Sequence, residues 1–192
     1  MSQLYVYSPN IWPSLIAVFL IFALAVYSFR NRHVPGALPF SIACMLGFMW
    51  SVASIFEYSA VPIDLKIFWR RFQVILQLPS ATAITCFLMA YAWPKRWFNR
   101  RNLVLLSIVP LLATLIILTN GLHHLFWKDF TYNQGLVAIP GPLMKYFIGY
   151  IYVNFLFNLV IFIWIFIKSP QNRWPVVIMV FGQVIMRLLY LL

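Results

Sequence analysis

The stretch Ile11–Phe29 reads IWPSLIAVFLIFALAVYSF, an apolar run without a charge, closed by Arg30 and Arg32. As a helix it is close to the ~20 residues that cross the hydrocarbon core of a bilayer. The residues before it, MSQLYVYSPN, carry no basic cluster, so the run reads as an anchor that stays rather than a cleaved signal peptide. Five further runs follow: Leu38–Tyr58, Ile67–Trp93, Leu103–Thr119, Leu143–Ile167 and Trp174–Leu192. The expectation is an all-α, polytopic membrane helix bundle of six transmembrane helices. Residues 1–192 would form a single membrane-embedded domain with one long outer loop at 120–142. The third and fifth runs exceed the core thickness and should tilt or project. Pro79 and Pro110 lie inside the third and fourth runs and should kink them.

Composition leads to the same class. The chain is 64% hydrophobic and only 9% charged, whereas a soluble domain carries roughly 25% charged residues. Its main partner is therefore the lipid bilayer. A net charge of +11 raises the question of nucleic acid, but the placement of the bases answers it. Arg30, Arg32, Lys95, Arg96, Arg100, Arg101, Lys168 and Arg173 fall in the loops after the first, third and fifth runs. The other side has Lys66, Lys128 and Lys145 together with all three acids, Glu57, Asp64 and Asp129. This is the positive-inside pattern: no nucleic acid, an N-terminus outside the cell membrane, and Leu192 also ending outside after six crossings. On that parity a cytoplasmic effector would need a seventh crossing beyond Leu192. Cys44 and Cys86 sit in apolar runs without metal-ligand spacing and read as small packing residues.

Polar residues inside apolar runs are the candidate functional positions, because burying them in lipid is costly. Lys66, Arg70, Gln73, Gln77 and Ser80 recur at helical spacing on one face of the third run, with Arg71 beside them. Such a stripe would form the polar wall of a cavity open to the outside, or else snorkel and bond neighbouring helices. Tyr146, Tyr150, Asn154 and Asn158 make a second stripe on the fifth run, drifting about 40° per step. Gln183 and Arg187 lie on the sixth. Glu57 is the acid at a matching depth, so it should pair with Arg187, Arg70 or Arg71 in an outer polar cluster. The long outer loop holds His123, His124 and Trp127. Adjacent histidines point about 100° apart on a helix, and no cysteine or carboxylate stands at ligand spacing, so the loop reads as a lid or packing element rather than a metal site. No nucleophile–base pair, zinc-protease motif or phosphate loop is present, and no cofactor is expected.

These residues carry a resemblance. Arg32 with Pro35-Gly36-Ala37-Leu38-Pro39-Phe40, Trp50 with Phe56-Glu57, and Lys66, Phe68, Arg71 and Gln73 occur in order. The most specific element is Thr119-Asn120-Gly121-Leu122-His123-His124-Leu125-Phe126-Trp127. Together they resemble the N-terminal seven-helix membrane region found in front of many histidine kinases. The resemblance implies a sensory input module of a two-component receptor that binds a small ligand or membrane cue. It would form a homodimer and relay to cytoplasmic kinase domains in an intact parent, without being an enzyme itself. Glu57, Arg71, Gln73, Gln77, Asn154, Gln183 and Arg187 would form the ligand site, with His123, His124 and Trp127 as its lid. The alternative is a small transporter or channel subunit, which would need polar residues continuing inward past Asn158, or a purely structural subunit.

Overall fold

The structure is a computed structural model that describes residues 4–93, 99–132, 135–169, 171 and 173–191; the side chains of residues 10, 100 and 186–191 lie outside the described set. Among the described residues the chain forms α1 (Trp12–Arg30), α2 (Ala37–Ser59), α3 (Ile63–Ala92), α4 (Arg100–Leu118) and the single turn α5 (Asn120–His123). An antiparallel hairpin, β1 (Trp127–Tyr132) and β2 (Leu136–Pro140), comes next, then α6 (Met144–Lys168) and α7 (Arg173–Leu191). Five helices, α1, α2, α3, α4 and α6, are long and apolar enough to cross a membrane, and the Arg173–Ile185 part of α7 is apolar but shorter.

The helix ends lie close to the ends of the apolar runs, except at the start of α3. It begins at Ile63, four residues before the expected Ile67. Hydropathy misses this first turn because it holds Asp64 and Lys66, but Asp64 suits the positive end of the helix dipole. Both α3 and α4 continue as helix through Pro79 and Pro110. The outer loop, read from sequence as a lid or packing element, is largely a β-hairpin.

Helix α3 is the centre of the bundle. Half of its most apolar stretch is buried, against 11% of that of α1, and it packs on α2, α4 and α6. Small residues of α2, among them Ser51, Ala53 and Ser54, are buried where α2 is held between α1 and α3. Close backbone approach of this kind is how helices associate in lipid, where the apolar effect between them is weak. Two serines tie α1 to α2: Ser28 Oγ donates to the Ala37 carbonyl at 2.7 Å and Ser41 Oγ to that of Ala25 at 2.9 Å. The connection passes through Gly36 at φ 85°, with Phe87 of α3 close enough to touch an added Cβ at 3.1 Å.

The chain has two distinct ends. At one, the N-terminal segment lies on the α2–α3 turn through Val6 N to Ser59 O (2.8 Å) and Val61 N to Leu4 O (3.0 Å). The hairpin stands at this same end, since Arg71 and Lys66 of α3 lie over its Phe130 and Tyr132 rings at 5.7 and 5.9 Å. The other end gathers Val34, Tyr91, Ala92, Trp164 and Ser169 around a cleft of 250 Å³. Just inside it, Leu88, Met89, Ile161, Phe162, Ile165 and Val176 form a continuous apolar plug.

Candidate functional site

Glu57 closes the last turn of α2, where only 7% of it is exposed. A carboxylate so placed needs partners, and α3 supplies them from successive turns. Arg70 Nη2 bonds Glu57 Oε1 at 2.7 Å, and Gln73 Nε2 donates to Oε2 at 2.5 Å. Ser54 Oγ, one turn before Glu57 on α2, donates to Gln73 Oε1 at 3.4 Å. Lys66 Nζ donates to the Glu57 carbonyl at 3.2 Å, capping the helix end. Arg70 Nε remains buried without a hydrogen-bond partner among the described residues. Beside the pair, Trp69 stacks on Phe56 with centroids 4.7 Å apart and donates from Nε1 to Tyr5 Oη at 3.1 Å. The N-terminal segment thus helps wall the cluster.

Of Arg70 and Arg71, Arg70 is the one in contact with Glu57. Arg71, about 100° further round the helix, is exposed and turned to Phe130 of the hairpin. The side chain of Arg187 lies outside the described residues. Gln77 is half-buried one turn below Gln73 and joins no hydrogen bond among the described residues.

Asn154 belongs to a second cluster. It is 7% exposed, its Oδ1 accepts from Thr85 Oγ1 at 3.0 Å and its Nδ2 donates to the Tyr150 carbonyl at 2.9 Å. Tyr150 Oη and Thr82 Oγ1 share a bond of 3.0 Å. Thr82 lies nine residues beyond Gln73, half a rotation round α3 and about 13 Å along it. The α2-facing and α6-facing polar groups are therefore back to back on one helix. Tyr146 leaves the α6 stripe: it is 65% exposed, with Lys145 Nζ 5.1 Å above its ring. The drift of about 40° per step accumulates to about 120° between Tyr146 and Asn158 and turns the first member outward.

Asn158 and Gln183 each hold a buried amide oxygen without a donor among the described residues. Each lies ten residues from the end of its helix nearest the α6–α7 connection, about 15 Å deep. Antiparallel α6 and α7 thus carry them at matching depth.

The expected lid is built around a residue the sequence reading did not single out for a role. Asn120 is 2% exposed. Its Oδ1 accepts from Phe126 N (2.8 Å) and Trp127 N (3.1 Å), and its Nδ2 donates to Trp127 O (3.0 Å). Phe126 and Trp127 are thereby held against Ile117 and Phe147 at the end of the bundle. Trp127, 2% exposed, is an anchor of the hairpin rather than a lining residue. His123 Nδ1 accepts from Leu125 N at 3.1 Å, so the neutral ring donates from Nε2 to Thr119 Oγ1, 3.1 Å away. His124 is exposed and serves through its backbone: at φ 52° it ends α5 with its N–H on Asn120 O at 2.8 Å. Gly141 closes the knot, donating to Phe126 O at 2.8 Å; a Cβ there would stand 2.3 Å from Leu125 O. The T-N-x-x-H-x-x-F-W pattern is the signal that could have found Asn120, since each of its fixed residues makes one of these contacts.

A family model described as the N-terminal 7TM region of histidine kinase matches residues 13–192, nearly the whole chain. No curated protein and no solved structure matches it. The chain belongs to the family of N-terminal seven-transmembrane regions of histidine kinases, a membrane input region distinct from the catalytic kinase domain.

Proposed function

We propose that this region senses a small molecule or membrane cue at its hairpin end and passes the response along α3 and α6 to cytoplasmic kinase domains. In this reading six helices cross the cell membrane, the N-terminus and hairpin lie outside, and the receptor acts as a homodimer. The observation that carries it is the Glu57–Arg70–Gln73 cluster. It is assembled from two helices, walled by the N-terminal segment, and keeps one buried donor, Arg70 Nε, without a partner among the described residues. A cue with an acceptor group that engages Arg70 competes with Glu57 and favours one α2–α3 arrangement over another. Only such differential affinity shifts an equilibrium. Gln77, one turn below the cluster, extends the site into the bundle, and Arg71 beside it extends the site toward the hairpin. Asn154, bonded to α3 through Thr85, belongs to the relay rather than to the first contact, and Gln183 and Arg187 on α7 stay candidate ligand residues. His123, His124 and Trp127 act by holding the hairpin in place.

The apolar plug of Leu88, Met89, Ile161, Phe162 and Ile165 favours a receptor over a transporter, because polar groups do not continue inward past Asn158 along α6. The test is kinase autophosphorylation by the complete receptor in membranes, with and without conditioned medium. Glu57→Gln and Arg70→Gln should change the response by about 5–150-fold, the usual range of coupling between sites. Unchanged autophosphorylation in both variants, with the protein folded, would sink the proposal.

A further inference from the structure

A cleft of 520 Å³ opens at the foot of the hairpin, between the hairpin's base and the first turns of α6. It shares no residue with the Glu57 cluster. Its walls are largely apolar, from Pro140, Pro142, Met144 and Ile148, and Lys128 and Lys145 provide its charge. No acid lines it. The nearest in sequence, Asp129, accepts from Phe130 N at 2.8 Å through one carboxylate oxygen and is not among the lining residues. The floor is fixed because Gly141 is pinned under Leu125 and Phe126.

The order of these groups along the helix is informative. Lys145 is in the first turn of α6, at the edge of its apolar span, and Ile148 follows one turn deeper on the same face, 44% exposed. Gly149 comes next, and a Cβ built on it meets nothing within 4 Å, which leaves a notch in the lipid-facing surface. Val153, one turn further, is 63% exposed. Cationic groups at headgroup level therefore lead into an apolar track that runs down the outside of α6.

We propose that this cleft is a binding site for an anionic phospholipid. The headgroup phosphate sits between Lys128 and Lys145, and one acyl chain runs past Ile148 over Gly149. Two cations with no acid among the lining residues select against a zwitterionic headgroup, whose own ammonium they repel, and the apolar walls select against a free anion. The occupant would touch the hairpin and α6 at once, so it would set the hairpin's seat on the bundle.

The test uses the full chain in nanodiscs of mixed phosphatidylcholine and phosphatidylglycerol, followed by native mass spectrometry of retained lipid. Each lysine at an anionic surface is worth about a fivefold preference, so Lys128→Gln with Lys145→Gln should lower phosphatidylglycerol retention by up to about 25-fold. Arg30→Gln with Lys168→Gln makes the same charge change at the opposite end and should leave retention intact. Gly149→Leu fills the notch without meeting a neighbour and should weaken retention with both lysines present. The proposal fails if the lysine pair variant retains the lipid, or if the distant pair variant loses it equally. It also fails if inorganic phosphate alone displaces the lipid, which would make the site one for free anions.

Discussion

The hairpin end and the middle of the bundle both bury polar groups, but they do so by different means. At the hairpin end the groups include charges and backbone amides, and each is held by several partners: Glu57 by Arg70 and Gln73, and the Phe126–Trp127 backbone by Asn120. In the middle the groups are neutral, Thr82, Thr85, Tyr150 and Asn154, and each has a single side-chain partner on the neighbouring helix. The difference follows from solvent. Near the headgroups Arg70 can keep its side chain 40% exposed while it neutralises Glu57, which lowers the cost of the pair. At mid-membrane a charge would have no such outlet, so hydroxyls and amides are used. The two threonine hydroxyls also bond the carbonyl four residues earlier in their own helix, Thr82 to Leu78 at 3.0 Å and Thr85 to Ala81 at 3.2 Å. They can therefore leave a neighbouring helix at little cost. The hairpin end is tied through charges and backbone amides; the middle is tied through neutral side-chain pairs whose threonines keep an acceptor in their own helix.

The largest test of this contrast is Asn120→Ala. It removes three hydrogen bonds and strands two buried N–H groups and a carbonyl, at about 1 kcal/mol each or more. A loss of about 3 kcal/mol is expected, read as reduced thermal stability in detergent and as faster proteolysis of the hairpin. Glu57→Ala comes next, at about 2 kcal/mol, because bonds to a charged group are worth about 1.5–3 kcal/mol each but Arg70 can turn to water. The sharper form of that test is its ordering with Arg71→Ala. Loss of the Arg71–Phe130 contact at an exposed site should cost about 0.5–1 kcal/mol. Equal losses in the Glu57 and Arg71 variants would mean that Glu57 is not the organising charge of this end.

The parts of this architecture that were legible in the sequence are those that charge scarcity and hydropathy determine. Six apolar runs mark six long helices, because lipid leaves the backbone few alternatives. An acid at the end of the second run needed a base, and the third run had several. Which base it would be was not legible: Arg70 and Arg71 are neighbours in sequence, and only the angle at which α3 meets α2 separates them. The hairpin was not legible either. Two strands of five or six residues are marginal by themselves, and these persist because Phe126 and Trp127 are anchored into helices far away in sequence. Thr82 and Thr85 were missed as partners of the α6 stripe because threonine in an apolar run is inexpensive and attracts no notice. Asn154 and Asn158 were seen, but periodicity could not tell that one faces a donor and the other faces none among the described residues.

That last distinction gives the two smallest and most discriminating effects. Asn154→Leu removes the bond from Thr85 and should cost about 0.6 kcal/mol, the average for interhelical hydrogen bonds in a membrane. Asn158→Leu should cost nothing or stabilise the bundle slightly. Its Oδ1 is already buried without a donor among the described residues, and replacing an unsatisfied amide by an apolar group of similar size removes a desolvation penalty. Gln183→Leu should behave in the same way, since its amide oxygen lies at matching depth on α7 in the same condition. Unfolding of the two single variants and the double variant in nanodiscs measures their coupling. Additive gains would mean two independent orphan oxygens. A double variant no better than either single would mean that one shared donor, such as a water held between α6 and α7, serves both in the wild type. A loss of about 1 kcal/mol or more in either single variant would show that the middle of the bundle is as tightly determined as its hairpin end, and the contrast between the two regions would fall.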